Sequence, residues 1–296
     1  MPPRHRGWKA LAEAVAPGAR VTRLRRLPGA GVTDAYDVTL DRSPSRVVVK
    51  LYRDGDDTAP LEWDRLKFAQ RVSVPVPEPI TADLQSVWFG RPAIVMSRLR
   101  GRPDLTAKNV GSWLGALAQT LAELHKTEVA GAEGAVTRPP PTESWSPPAF
   151  EDWPLTAEAV RVIEARLPSL TSERVLTHGD FHPANVLWQR GRISGVVDWS
   201  TARLDSRWYD LAYCRASVCL RLGPDIADRL ADAYTDIVGD SSDEVAVYDL
   251  MCVLTGRPYL RESLEADRKL GPSPSYELAL DRLEEQLRRA LERLDG

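Results

Sequence analysis

Residues 175–198 read VLTHGDFHPANVLWQRGRISGVVD. An aspartate, an asparagine and a second aspartate fall there on what patterns as strand, loop, strand, turn, strand. Asp180 and Asn185 stand in a D-x-x-x-x-N spacing, and Asp198 closes the apolar run behind them. Phosphoryl transfer uses such a set. One carboxylate orients the attacking hydroxyl and receives its proton, while an amide oxygen and a second carboxylate hold metal ions that neutralise nucleotide phosphates. A short loop lets Asp180 and Asn185 face one cavity. A hairpin of 186–188 and 193–197, turning at Gln189, Arg190, Gly191 and Arg192, brings Asp198 back beside them.

Local turn chemistry is the competing explanation, because Asp, His and Asn are common in caps and Asx-turns. Together, and followed by an apolar run ending in Asp198, they exceed what a turn requires. A metal site of His178, Asp180 and His182, alternating as on a strand, is a further alternative, but Pro183 breaks a strand there.

HGDFHPANVL followed by VVDWSTA resembles the aminoglycoside phosphotransferase and choline kinase-like family, which shares a two-lobed fold with the protein kinases. The resemblance runs from Val21 to the C-terminus, strongest over 175–213 and weakest after Arg215. It implies an α+β fold with an antiparallel sheet and one main helix in the N-lobe and a mostly helical C-lobe. It also implies Asp180 as catalytic base, Asn185 and Asp198 as ligands of Mg2+, and ATP or GTP as co-substrate. One departure from the protein kinases is visible: Trp199-Ser200 follows the metal aspartate where those enzymes have Phe-Gly, so their Phe-based switch is not expected.

The chain has 296 residues, more than one core usually holds, in keeping with two lobes. A net charge of −3 lacks the basic excess of a nucleic-acid binder. Lys9 and Glu13 interrupt the N-terminal apolar residues, so no signal peptide is read, and no apolar run is long enough to cross a bilayer. Cys214, Cys219 and Cys252 form no C-x-x-C pair, which reads as reduced thiols in a cytoplasm. No internal repeat is visible.

A short helix over 8–15 ends at Pro17-Gly18. VTRLRRL, then Gly29-Ala30-Gly31, then DAYDVTL gives strand, glycine turn, strand, the device with which kinases cover nucleotide phosphates. Gly29 and Gly31 are a weak signal alone, since an ordinary hairpin turn looks the same; Thr33 adds a hydroxyl. The next strand, RVVVKLY, embeds Lys50 in a β-branched run. Either it is an edge strand with Lys50 in solvent, or Lys50 grips the α- and β-phosphates and needs a carboxylate partner. Residues 58–72 read as a helix with Thr58 at the cap and Pro60 in the first turn. Glu62, Leu66 and Ala69 share one face, so Glu62 is the expected partner of Lys50 and Asp64 the competing acid.

A proline-rich connector over 74–79 leads to a predicted hairpin, with strands over 86–89 and 93–96 around a turn at 90–92. Composition turns polar at 97–101. Residues 1–97 are therefore assigned to a nucleotide-binding lobe, 98–101 to a hinge and 102–296 to a catalytic and acceptor-binding lobe. By the resemblance, backbone at Ser97 and Leu99 reads the purine edge, with Met96 near the base.

A helix over 106–127 carries an apolar face, with His125 near its end as a C-terminal cap or dipole partner. Residues 130–148 form a loop, either lid or connector. Helical patterns follow within 145–170, from Trp208, from Leu220 and over 276–294. Asp210 resembles the family's structural aspartate, which holds the catalytic loop. Between Asp198 and Asp210 there is no room for a peptide-binding activation segment, so the acceptor is expected to be a small hydroxylated molecule. Asp225, Asp228, Asp232 and Asp236 fall on one helical stripe, either a solvated face or a docking surface for a cationic acceptor. Trp153, Trp208, Tyr248 and Tyr259 offer stacking faces or core. The expected activity is a kinase for a hydroxyl of a cationic antibiotic, such as an aminoglycoside or basic peptide. A metabolic kinase for an amino alcohol, sugar or amino acid and a non-catalytic nucleotide-binding module are the alternatives.

Overall fold

Strand β3 (Arg46–Leu51) shows how the period of a strand divides this molecule. Val47, Val49 and Leu51 point to one face and join a core with Trp8, Leu11 and Ala12 of helix α1 (His5–Val15). Val48, Lys50 and Tyr52 point to the other, where Tyr52 belongs to a second core shared with the C-terminal half. Successive side chains of a strand alternate between faces. Lys50 is thereby aimed at the interior between the two halves. In the computed structural model, described for residues 5–28, 33–131, 145–147, 153, 155–170 and 173–295, β3 is the middle strand of a five-stranded antiparallel sheet. Its neighbours are β2 (Asp34–Leu40) and β5 (Ala93–Ser97), with β1 (Val21–Arg26) and β4 (Pro79–Asp83) at the edges. Pairing on both sides rules out the edge-strand alternative for Lys50.

Helix α2 (Thr58–Phe68) crosses the cleft-facing side of the sheet. Thr58 is its first residue rather than its cap: the Asp56 carboxylate accepts from the Thr58 N–H at 2.8 Å. The helix ends a turn earlier than the sequence pattern predicts. Ala69–Arg71 tighten into a 3-10 turn and Val72 is already extended, ahead of the proline-rich run.

The strand expected at 86–89 lies instead at β4, and 86–89 is a turn. The Asp83 carboxylate accepts from the Val87 and Trp88 N–H groups at 3.0 and 2.5 Å, which closes that turn. Phe89 packs edge-on to Trp8, with ring centroids 4.9 Å apart.

The helical half follows. A short strand β6 (Arg102–Pro103) precedes α3 (Val110–His125), which starts later than predicted because Asn109 caps it, accepting from Ser112 N–H at 3.2 Å. Then come α4 (Thr156–Arg166), β7 (Arg174–Thr177), the hairpin β8 (Val186–Gln189) and β9 (Arg192–Val196), and β10 (Arg203–Ser206). The chain closes with α5 (Arg207–Leu222), α6 (Pro224–Val238), α7 (Glu244–Gly256), α8 (Leu260–Arg268) and α9 (Tyr276–Asp295). The β8–β9 hairpin turns through Arg190 and Gly191, both at positive φ (51° and 76°), as a two-residue primed turn demands. Antiparallel pairing of β7 with β10 brackets the 178–185 loop and sets α5 directly beneath it.

α5 packs against α6, α7 and α9. Buried Arg215 of α5 binds Asp249 of α7 at 3.0 Å and Asp228 of α6 at 3.0 Å. Arg289 and Arg293 of α9 also reach Asp228, and Arg289 reaches Asp225. Two of the four acidic-stripe residues are therefore matched by arginines from α5 and α9, while Asp232 and Asp236 are exposed. Trp153, Trp208 and Tyr248 are core; Tyr259 is exposed. Gly29 and Gly31, and most of the 130–148 loop, lie outside the described residues. All three cysteines are buried and free. Among the described residues no helix is long and apolar enough to cross a membrane.

Candidate active site

The loop after β7 is built around one buried carboxylate. Asp210, in the first turn of α5, accepts from the His178 N–H at 2.6 Å and the Gly179 N–H at 2.8 Å. His125 Nε2 lies 3.4 Å from the same carboxylate, and its Nδ1 lies 2.6 Å from the Tyr234 hydroxyl. Burial raises the cost of charge on Asp210, yet these donors hold its pKa below the ordinary carboxylate value. His125 is thus a buried brace for Asp210, not the helix cap predicted for it.

His178 is fully buried, which pushes its pKa down and keeps the imidazole neutral. Its Nε2 meets the Val197 carbonyl at 3.1 Å and its Nδ1 meets the Asp180 N–H at 3.3 Å. Those partners assign the proton to Nε2, with Nδ1 accepting. One ring thereby ties the loop carrying Asp180 to the strand end carrying Asp198.

Gly179 sits at φ 77°, and a Cβ there would lie 2.4 Å from the Thr201 carbonyl oxygen. Only glycine satisfies both the backbone and the close approach.

Asp180 follows at once. Asn185, at the end of a 3-10 turn (Pro183–Asn185), donates Nδ2 to Asp180 Oδ2 at 2.9 Å and to the Asp180 carbonyl at 3.0 Å. His182 Nε2 lies 3.7 Å from Asp180 Oδ2. Burial opposes the charged form of Asp180, but His182, together with a hydrogen bond from the Tyr213 hydroxyl, brings its pKa down to about 2. Asp180 is an anion at any physiological pH.

Asp198 stands in the left-handed region, at φ 67° and ψ 68°. Its Oδ1 accepts from Ser200 Oγ at 2.9 Å and meets Lys50 Nζ at 3.0 Å. Lys50 also meets Glu62 Oε1 at 2.5 Å, and the Tyr52 hydroxyl bonds the other Glu62 oxygen. Asp64, the competing acid, pairs with Lys67 instead. Burial disfavours the Lys50 ammonium, but Asp198 and Glu62 outweigh it and raise its pKa above the ordinary lysine value. Lys50 is a fixed cation between two carboxylates.

The Trp199-Ser200 pair acts as an anchor. Trp199 is buried against His178 and donates to the Val196 carbonyl, and the Ser200 carbonyl accepts from Arg65 of α2.

These groups share one cavity of about 1160 Å3 between the sheet and the helices. Lys50, Glu62, Asp180, Asn185 and Asp198 line it, as do Thr33, Met96, Ser97 and Leu99. Ser97 uses its N–H and its Oγ on Glu78, at 2.8 Å each. None of Asp225, Asp228, Asp232 and Asp236 lines the cavity. Among the lining residues close to these groups, the sequence reading of the site lacks Tyr52, His182 and Tyr213. Tyr52 lies two positions past Lys50 and so shares its face. Tyr213 lies three past Asp210, one helical turn along α5. The sequence offers His182 only as a metal ligand, and among the described residues no group of three His, Cys, Asp or Glu side chains could hold a metal.

The profile of a family described as the phosphotransferase enzyme family matches residues 23–250. The chain belongs to that family. Among curated relatives, the homoserine kinase of Gluconobacter oxydans is 33% identical over 106 residues, covering 33% of this chain and 34% of that protein. An aminoglycoside 3'-phosphotransferase of Enterococcus faecalis is 28% identical over 71 residues, 24% of this chain and 26% of that one. The chain spans about a third of the length of the first and a quarter of the second. Among solved structures, a thermostable mutant of an aminoglycoside phosphotransferase, in complex with ADP and hygromycin B, superposes with TM-score 0.68 at 16% identity. The match covers 98% of this chain and 99% of that one. The macrolide 2'-phosphotransferase of Brachybacterium faecium gives 0.62 at 21% identity, over 90% and 99%. At such identities the structural likeness speaks for the fold: a family member with an antiparallel-sheet N-lobe and a helical C-terminal part.

Proposed function

We propose that the protein is a small-molecule O-phosphotransferase that moves the γ-phosphoryl group of ATP to an acceptor hydroxyl in the cavity between its lobes. Residues 1–97 form the nucleotide lobe, 98–101 the hinge and 102–296 the catalytic lobe. The supporting observation is convergence: Lys50 with Glu62, and Asp180, Asn185 and Asp198, line one cavity although they come from β3, α2 and two separate loops.

Each residue has a role that follows from its chemistry. Lys50 supplies a fixed positive charge for the nucleotide phosphates, and Glu62 keeps it extended across the cleft. Met96 lies against the base. Because Ser97 is tied to Glu78 and the Leu99 carbonyl accepts from Arg98, base reading falls to the Leu99 N–H. Asp180 accepts a hydrogen bond from the acceptor hydroxyl and aims its oxygen in line with the γ-phosphorus. The acceptor O–P bond forms, the bond to the bridging oxygen of the leaving ADP breaks, and the hydroxyl proton passes to Asp180. Since Asp180 is a weak base, its main contribution is orientation, with the proton moving late.

Asn185 and Asp198 fit a hard divalent cation such as Mg2+. Asn185 uses Nδ2 on Asp180, so its amide oxygen is the atom left to meet a cation. Asp198 is ionised, its pKa held low by Lys50 against burial, and both donors are oxygen. When bound, the metal supplies charge neutralisation at the phosphates.

The cavity exceeds the usual range for a single small-ligand pocket, roughly 300–1,000 Å3. That room suits a nucleotide and an acceptor held side by side, and the stretch shared with an aminoglycoside phosphotransferase supports an antibiotic as the first reading of the acceptor. The stretch shared with homoserine kinases keeps a small metabolic alcohol as the second reading. Purified protein incubated with ATP, Mg2+ and a panel of hydroxylated antibiotics, amino alcohols and sugars, with ADP release as readout, tests the proposal. Acceptor-dependent ADP release is the expected result; release with no acceptor in the panel and no phosphorylated product would count against it.

A further inference from the structure

The acceptor end of the cavity follows one face of α5. Tyr213, at Asp180, Ala216 and Ser217 one turn on, and Leu220 and Arg221 two turns on all line it. At 1.5 Å per residue, Tyr213 to Arg221 is about 12 Å along the helix. Opposite this face the wall is mostly apolar, with Val253 and Gly256 of α7, Leu260 and Leu270 in and after α8, and Leu283 of α9, and Ser263 of α8 as an uncharged polar group. Among the lining residues that follow Tyr213 in the chain, on α5 and α7 to α9, there is one positive and one negative side chain, Arg221 and Asp267. They pair with each other at 2.5 Å, both almost wholly buried. Arg221 Nη1 also donates to the Ser217 carbonyl at 2.7 Å and to its hydroxyl. The chamber past the catalytic loop therefore has no net charge, and its one anion is already matched.

A polycationic acceptor would have to shed the water around its ammonium groups and find no spare carboxylate there. The acidic stripe of α6 cannot supply one, since it lies outside the cavity and is partly matched by Arg215, Arg289 and Arg293. Resting on the phosphotransferase reading above, we propose that the acceptor is an uncharged amphipathic alcohol. Its reacting hydroxyl sits at Asp180, its apolar body lies along Ala216 and Leu220, and a neutral polar group at its far end meets the Arg221, Asp267 and Ser217 cluster. Selectivity against cations is then set by Leu220 and its neighbours, not by the catalytic loop.

Two acceptor probes of matched length decide the point: octanediol, which is neutral, and amino-octanol, which carries an ammonium at the far end. Phosphorylated product is measured for each with saturating ATP and Mg2+. The diol is expected to have the higher kcat/KM, by about tenfold or more. Leu220→Asp, which places a free carboxylate in the chamber, is expected to move the amine-to-diol ratio toward the amine by about tenfold or more. Should that variant fail to fold by thermal melt, Ala216→Phe serves instead. It fills the chamber and is expected to raise the KM for the diol about tenfold or more while the nucleotide Kd is retained. Preference of the wild-type protein for the amine would overturn the proposal, and so would a ratio indifferent to Leu220→Asp or a KM indifferent to Ala216→Phe. Those results leave the phosphotransferase reading standing. Phosphorylation of neither probe, nor of any alcohol in the wider panel, would overturn both together.

Discussion

Lys50 Nζ lies 3.0 Å from Asp198 Oδ1, although the two residues are 148 positions apart and belong to opposite lobes. This contact is the electrostatic seam of the molecule. The sheet aims Lys50 at it through strand alternation, and the left-handed turn at Asp198 aims the carboxylate back. Glu62 on the far side of Lys50 leaves the ammonium shared between two anions.

Removing one member of that seam and removing a matched pair should differ. Lys50→Met leaves Glu62 buried opposite an apolar chain and is expected to cost about 3–5 kcal/mol of stability. Lys50→Met with Glu62→Leu should recover most of that stability while remaining inactive, because the phosphate contact is gone. Denaturant melts and turnover, measured together, check this. Full additivity of the two stability losses would show that the residues do not act as a pair.

Asp210 supports the loop that carries Asp180 without lining the cavity. Asp210→Asn weakens two charge-assisted bonds to His178 and Gly179, each bond to a charged group being worth about 1.5–3 kcal/mol. A fall in Tm of several degrees is expected, with a loss of kcat larger than the change in nucleotide affinity. An unchanged Tm would remove Asp210 from this bracing role.

Gly179 and Gly191 have almost the same φ, 77° and 76°, but different surroundings. A Cβ at Gly179 meets the Thr201 carbonyl; one at Gly191 meets nothing within 4 Å. Gly191→Ala should cost only backbone strain, about 1 kcal/mol, with turnover retained. Gly179→Ala adds a displacement of the loop beside Asp180 and should lower kcat about 100-fold. Equal effects on kcat would show that the close approach at Thr201 is unimportant.

The Asp180 carboxyl should titrate near pH 2, as followed by carbon NMR of labelled aspartate. Because its folded pKa is depressed from 3.8, its contribution to stability is complete above pH 3.8 and is lost as pH falls through about 2. His182→Ala should raise the midpoint toward 3.8. A wild-type midpoint above 4 would mean that His182 and Tyr213 do not hold the carboxylate.

Several of these relationships were legible in the chain alone because each rests on a short-range rule. A lysine inside V-V-V-K-L needs a partner, and the face of α2 carrying Leu66 and Ala69 carries Glu62. The D-x-x-x-x-N spacing is legible as a phosphoryl-transfer motif, and the hairpin behind it follows from its turn residues. Most of what escaped depended on contacts distant in sequence. His125 lies 85 residues from Asp210, and nothing local distinguishes it from a helix cap. The acidic stripe on α6 reads as free charge until α5 and α9 bring their arginines. Strand β4 was misplaced because a turn held by the Asp83 carboxylate contains V-W-F, a run that otherwise patterns as a strand.

In the proposed reaction Asp180 orients an acceptor hydroxyl against a nucleotide held by Lys50, Asn185 and Asp198. Its most direct test is phosphorylated product formed by wild-type protein and by Asp180→Asn, each with ATP, Mg2+ and an accepted alcohol, alongside nucleotide binding by calorimetry. Product is expected from the wild type, with a loss of kcat of about 100- to 10,000-fold in the variant and nucleotide affinity kept within a few-fold. Product formed by Asp180→Asn at the wild-type rate would contradict it.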